Sequence, residues 1–208
     1  MRRRSGGHEE GWLLSYADLI TNLLLFFVVL LSAANLSKTK MQQITKAISG
    51  EPQPESLESI QEQIEKAIVE KKLTEVVQTK IKDDGLELSL NSGFVFDSGR
   101  ALLRPEFEVP LGSMLEVLLP YSTKYSFAVE GHTDATPILG SSLFASNWDL
   151  SAARALVVRD RLEGVGIDRT RIRVEGYADT RPLPEAELQG LTVDQRNARL
   201  RRVVVRVY

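Results

Sequence analysis

The chain has 208 residues, with 26 Lys and Arg against 28 Asp and Glu, a formal net charge of −2 and no cysteine. That balance gives no broad basic field for nucleic acid, and without cysteine there is no disulfide and no thiolate metal site. Setting aside an apolar N-terminal segment and the polar stretch after it leaves about 120 residues, an ordinary size for one domain.

The first predicted element is an apolar helix from Trp12 to Ala34. Its 23 residues make roughly 34 Å of helix, enough to cross a bilayer. Asp18 lies inside it, where a carboxylate costs at least about 2.5 kcal/mol on insertion scales. Ser15, Asp18, Thr21 and Asn22 fall on one stripe, with Tyr16 beside the acid. Ser15, Thr21 and Asn22 have two readings, as glue to a neighbouring helix or as lining of an ion path. The cost of Asp18 points to the second, with Tyr16, Thr21 and Asn22 as candidate lining. Arg2, Arg3 and Arg4 place residues 1–11 in the cytoplasm by the positive-inside rule, slightly weakened by Lys38 and Lys40. The competing reading is a signal peptide cleaved near Leu31-Ser32-Ala33-Ala34; the length of the stretch and Asp18 argue against it. The expected protein is a single-pass inner-membrane protein whose remainder lies outside the cytoplasm.

Between Asn35 and Ser49, Leu36, Met41, Ile44 and Ile48 recur at near-helical spacing. Gly50-Glu51-Pro52-Gln53-Pro54 breaks that helix. A second stripe of Leu57, Ile60, Ile64, Ala67 and Ile68 runs to about Lys72 and suits a linker helix or a short coiled coil. Residues 35–72 are thus expected to be a linker of two helices, and 73–208 the folded domain.

Within that domain Leu86–Leu90 alternates as a strand, Phe94–Gly99 is a loop and Pro105–Leu119 is a helix. Tyr125–Glu130 is a second strand, Leu150–Glu163 a helix ended by Gly164 and Gly166, and Ile172–Gly176 a third strand. Val193–Arg199 is helical and Leu200–Tyr208 a closing strand with solvated arginines. The order β-α-β-α-β-α-β predicts an α/β fold, an α+β sandwich with helices over one side of a mixed sheet.

Three segments together resemble the OmpA-like peptidoglycan-binding family: Phe96-Asp97-Ser98-Gly99-Arg100-Ala101-Leu102-Leu103, Glu130-Gly131-His132-Thr133-Asp134, and Asn147-Trp148-Asp149-Leu150-Ser151-Ala152-Ala153-Arg154-Ala155. Arg201-Arg202-Val203 is similar to the family's closing strand, with Leu200 where Asn is usual. With Ser15-Tyr16-Ala17-Asp18-Leu19 in the span, the whole chain resembles MotB-type subunits of the flagellar stator. The region from about Ala34 to Leu73 is short for that family.

The resemblance implies that Asp134 and Arg154 hold the diaminopimelate of a peptidoglycan stem peptide, with Thr133, Asn147 and Leu150 lining the pocket. The chemistry is sound, since Asp134 can accept from the ligand ammonium and Arg154 can fork onto a carboxylate. The alternative is that Asp134 caps a loop and Arg154 is an ordinary surface arginine. Arg201 braces either the pocket edge or only the last strand. His132 is expected to be a positioned loop residue rather than a metal ligand, and Asp149 a helix cap or a solvated side chain.

The resemblance further implies that Asp18 carries the transported ion, and that Leu36, Met41, Ile44 and Ile48 belong to a plug. It implies two copies of the chain, as a homodimer, within a ring of five MotA-like partners. Tyr16 favours protons, with sodium the alternative, and no cofactor is expected. Related stator-like units serve Zorya-type phage defence, and TolR and ExbD energise envelope work, so the output of the motor stays open. A non-transporting peptidoglycan tether is the third reading, disfavoured by Asp18. No nucleophile–base set or glycan-cleaving carboxylate pair is recognisable, so an enzyme is not expected.

Overall fold

A computed structural model describes residues 11–34, 56–138 and 143–208. The chain divides into two compact units, Met1–Gln53 and Pro54–Tyr208. The predicted plug residues Leu36, Met41, Ile44 and Ile48 lie outside the described residues.

In the first unit, helix α1 covers Gly11–Ala34. The side chains of Trp12 through Val29 are all exposed within the single chain. An apolar helix with no protein around it needs another apolar medium, and this one is long enough to cross a bilayer. Two of its polar residues turn inward on their own backbone. Ser15 Oγ donates to Gly11 O at 3.3 Å and Thr21 Oγ1 donates to Asp18 O at 3.0 Å. Such back-bonding lets hydroxyls enter an apolar medium satisfied.

In the second unit, α2 (Leu57–Glu70) opens under Ser56, whose hydroxyl caps Ser59 N. The linker assignment fails for this helix. Ile60 and Ile64 are fully buried, and with Ala67 and Ile68 they join the domain core. Burying each isoleucine contributes about 1.5–3 kcal/mol, which a free linker would forgo. The fold therefore begins near Ser56, ahead of Leu73.

Strand β1 (Val77–Lys82) pairs antiparallel with β2 (Gly85–Asn91). The short helix α3 (Ser92–Val95) occupies part of the expected loop. Helix α4 (Pro105–Leu115), with Pro105 in its first turn, tightens to a 3₁₀ turn over Glu116–Tyr121 at Pro120. Then come β3 (Phe127–His132), α5 (Asn147–Gly164), β4 (Ile172–Gly176), α6 (Glu185–Leu188), α7 (Val193–Leu200) and β5 (Arg202–Val207). The sheet order is β1-β2-β5-β3-β4, antiparallel except for β3 beside β4. This is the expected mixed α/β sheet, with one strand more than the sequence pattern shows.

Alternation sorts the sheet into two faces. Leu86, Leu88, Leu90, Phe127, Val129, Val203, Val205 and Val207 join the apolar core that also takes up residues of α2, α4 and α5. The other face carries charge. Arg206 reaches Glu87 and Glu130, both at 3.0 Å, and also bonds Asp84. Arg202 is buried and donates to Arg181 O at 3.1 Å, and Arg206 is half-buried in ion pairs, so the arginines of β5 are not freely solvated. His132 ends β3 on this face, 2% exposed and stacked on Tyr177 at 5.5 Å, so it is a strand residue and not a loop residue.

Candidate functional site

The chain leaves β2 at Ser92, leaves β3 at Thr133 and enters β5 from Arg201. Because β5 runs antiparallel between the other two, all three residues meet at one end of the sheet. Ser92 N donates to Arg201 O at 3.0 Å, and Thr133 N donates to Ala178 O at 2.8 Å. Helix α5 lies directly against this end. A Cβ at Gly131 would meet Ser151 O at 1.9 Å, so only glycine lets the helix backbone approach β3 so closely.

A cavity of about 450 Å³ opens there, lined by Thr133, Asp134, Asn147, Leu150, Arg154 and Arg201, the six residues expected from the sequence. Ser92, Gly93, Phe96 and Arg104 line it as well. Asp134 Oδ1 accepts from Thr136 N at 3.1 Å. Asn147 Nδ2 donates to Asp134 O at 3.3 Å and to Thr136 O at 2.9 Å, which pins the loop after β3 onto α5. Ser146, not Asp149, is the cap of α5; it accepts from Asp149 N and donates to the Asp149 carboxylate at 2.9 Å.

The arginines divide the work differently from the sequence expectation. Arg201, 38% exposed along its side chain, binds Asp134 Oδ2 at 2.6 Å. It therefore belongs to the cavity wall and not only to the strand. Arg154, one turn after Leu150, is 4% exposed and is no surface arginine. Its Nε donates to Arg100 O at 2.9 Å and its Nη2 to Asp97 O at 3.3 Å, and its guanidinium lies 5.3 Å from the Phe96 ring. Burial, with Arg201 nearby, pushes the guanidinium down to about 10 against the pull of Asp134, leaving it charged at neutral pH. Asp97 in turn holds Arg104 at 3.2 Å. One carboxylate, Asp134, and three arginines, of which Arg104 is already held by Asp97, thus share the cavity, an arrangement that suits a small zwitterion.

The sequence reading quoted Phe96 and Asp97 only as motif and did not place them at the site. Ser92, Gly93 and Arg104 were missed, and no local signal marks them. Tyr16, Asp18, Thr21 and Asn22 belong to α1, in the other unit. Among the described residues no group of three His, Asp or Glu could hold a metal ion.

The fold and cavity define a class, a membrane-anchored protein with an OmpA-like domain outside the inner membrane. The OmpA family matches residues 95–195, and the family described as "Membrane MotB of proton-channel complex MotA/MotB" matches residues 2–51. Motility protein B of Bacillus subtilis is 29% identical over 88% of each chain, and protein YtxE of the same organism is 30% identical over 88% of this chain and 86% of its own. Among solved structures, the cell wall anchor of the T6SS from Pseudomonas aeruginosa shares 28% identity at a TM-score of 0.58, covering 70% of this chain and 96% of that one. The periplasmic domain of Helicobacter pylori MotB (residues 78-256) has a TM-score of 0.55 at 20% identity, over 63% of this chain and 80% of that one. The chain belongs to the MotB family. It is a single-pass inner-membrane protein of a family whose members are not catalysts.

Proposed function

We propose that this chain is the ion-conducting and wall-anchoring subunit of a stator built with a MotA-like partner, coupling proton flow, or sodium flow, to mechanical work. The observation that carries the reading is the cavity of Asp134, Arg154 and Arg201 in a chain whose span holds a lone acid, Asp18. A diaminopimelate side chain ends in an ammonium and a carboxylate on one carbon. Asp134 takes the ammonium, while Arg201 and Arg154 take the carboxylate; Thr133, Asn147 and Leu150 shape the pocket. The likeness to a cell wall anchor supports the gripping half of the reading.

In the membrane, Asp18 picks up and releases the ion, and the change of charge alters how α1 packs on its partner. Tyr16, Thr21 and Asn22 line the path. One span makes no channel alone, which calls for a MotA-like membrane partner, and the family resemblance suggests two copies of this chain inside five partner subunits. Residues Leu36 to Ile48 serve as the plug that keeps the path shut before docking.

The test is co-sedimentation of the full chain, held in lipid nanodiscs, with purified sacculi. Wild type is expected to pellet and Asp134→Ala to lose about 2–5 kcal/mol of binding while keeping its melting transition. A folded Asp134→Ala chain that pellets like wild type would refute the wall-binding half.

A further inference from the structure

The cavity wall carries more positive charge than a ligand with a single charged centre can use. Arg104, Arg154 and Arg201 line it beside the carboxylate of Asp134, and Asp97, bonded to Arg104, adds a second carboxylate. Three guanidiniums against two carboxylates leave one positive charge over. A carbon that bears an ammonium and a carboxylate is neutral and leaves that charge as it was.

Arg104 is the least committed of the three. Arg201 binds Asp134 at 2.6 Å, and Arg154 is buried with bonds to two carbonyls. Asp97 Oδ1 accepts from Arg104 Nε at 3.2 Å, a one-point contact in place of the two-point fork that a guanidinium can make. Among the described residues the Arg104 side chain bonds no other group. It is 35% exposed and Asp97 is 51% exposed, and no Arg104 nitrogen is among the sealed, partnerless atoms, so its terminal nitrogens are open to solvent.

Backbone sets where Arg104 stands. Phe96 and Leu103 form an antiparallel bridge, and Arg104 N donates to Val95 O at 3.0 Å. The two ends of the loop over residues 97–102 are thereby held side by side, which brings Asp97 and Arg104 together at its neck. The carbonyl of the same Asp97 accepts from Arg154 Nη2 at 3.3 Å. Arg154 and Arg104 are therefore separated by one residue and two hydrogen bonds, and both line the cavity.

We infer that Arg104 forms a second carboxylate subsite in this cavity, distinct from the one that Arg154 and Arg201 provide. The inference deepens the stem-peptide reading above and rests on it. Arg104 can keep Asp97 at Nε and turn its two terminal nitrogens to a ligand carboxylate as a fork. A stem peptide offers that group in two places. One is the L-centre carboxylate of diaminopimelate, three methylenes from the D-centre held by Asp134, Arg154 and Arg201. The other is the α-carboxylate of the neighbouring D-glutamate. Either one offsets the charge left over in the wall, and amidation of either removes the offset. Arg104 thereby makes the site sensitive to the amidation state of the peptide.

The experiment is calorimetric titration of the full chain in nanodiscs with three forms of the tripeptide L-Ala-γ-D-Glu-meso-diaminopimelate: unmodified, amidated at the D-glutamate α-carboxyl, and amidated at the diaminopimelate L-centre carboxyl. Wild type is compared with Arg104→Gln, each with a melting curve. Arg104→Gln is expected to bind the unmodified peptide about fivefold more weakly, as the loss of one half-exposed ion pair implies. Wild type is expected to lose a similar factor on one of the two amidations, which identifies the carboxylate, and Arg104→Gln to be indifferent to that same amidation. Equal binding of the unmodified peptide by wild type and Arg104→Gln would overturn the inference and leave the stem-peptide reading standing. Two other results would also overturn it: wild type indifferent to both amidations, or one common loss by Arg104→Gln for all three peptides with a lowered melting temperature, the mark of a structural role. Wild type binding none of the three would remove the stem-peptide reading, and this inference with it.

Discussion

Arg154→Ala is expected to destabilise the domain by about 2–3 kcal/mol. Its two bonds, 2.9 Å to Arg100 O and 3.3 Å to Asp97 O, have a charged donor, and such bonds contribute roughly 1.5–3 kcal/mol each. The longer one falls at the low end. Contact with the Phe96 ring at 5.3 Å adds about 0.5–1 kcal/mol. Against these stands the desolvation of a guanidinium that is 4% exposed, which the substitution recovers. Arg100 is exposed, so its freed carbonyl can turn to water and adds no further penalty. For a unit of this size each kcal/mol moves the melting temperature about 2–4 °C, so a fall of about 4–12 °C is expected. Thermal melting of the full chain in nanodiscs, followed by circular dichroism, measures it. Arg154→Lys keeps the charge but cannot reach both carbonyls, and should fall between. A melting temperature for Arg154→Ala within about 2 °C of wild type would refute the argument that this side chain ties the Asp97–Arg100 turn to α5.

Asp18→Asn is expected to abolish ion flux through the assembled complex without preventing assembly, because an amide cannot cycle charge; proteoliposome flux with the co-purified partner measures it, and wild-type flux would contradict the role. Deleting residues 36–48 should leave cells that express the complex leaky to protons and slow-growing, which cytoplasmic pH and growth rate report. In the charged layer behind the sheet, burial holds the His132 imidazole below its ordinary value of 6.5, with Glu130 opposing and Arg202 and Arg181 assisting. The unfolded chain therefore binds the proton more readily. The contribution of His132 to stability is full above about pH 6.5 and declines as the pH falls toward the folded value. Melting temperatures between pH 7.5 and 5 should fall, and His132→Gln should flatten the fall; parallel curves for the two proteins would show that the imidazole is not the group responsible.

The strands that face the core were legible because Leu86–Leu90 alternates cleanly between apolar and polar residues, while Val203–Val207 is a β-branched run broken only by Arg206. Strand β1 was not. Its Val77-Gln78-Thr79-Lys80-Ile81-Lys82 is a polar edge strand that buries only Val77 fully, and edges are kept polar to prevent pairing with other chains. Helix α2 was seen as a helix and misplaced, because an amphipathic stripe announces that it needs a partner without saying which. The residues of the cavity were legible through their motif spacing, but the roles of the two arginines were not. The Asp134–Arg201 pair joins positions 67 residues apart, and nothing local marks it. Ser92 carries no signal at all, since its place in the cavity wall exists only once three strand ends have met.

The way α2 enters the fold fixes a load path. Tension arriving along the chain ahead of Leu57 meets α2 before it meets the β1–β2 ladder. It first meets Ile60, Ile64, Ala67 and Ile68 seated in the core, with Gln63 bonded to Tyr121 at 2.6 Å and Gln61 to Thr79 at 3.2 Å. Of these contacts, only the Gln61 bond reaches a strand, at Thr79 on the edge strand β1. A pull strong enough to draw the helix out would lengthen the tether by the difference between about 1.5 Å per helical residue and about 3.3–3.6 Å per extended one. The 14 residues of α2 would then release roughly 25–30 Å of slack while the strands that frame Asp134 and Arg201 stayed paired.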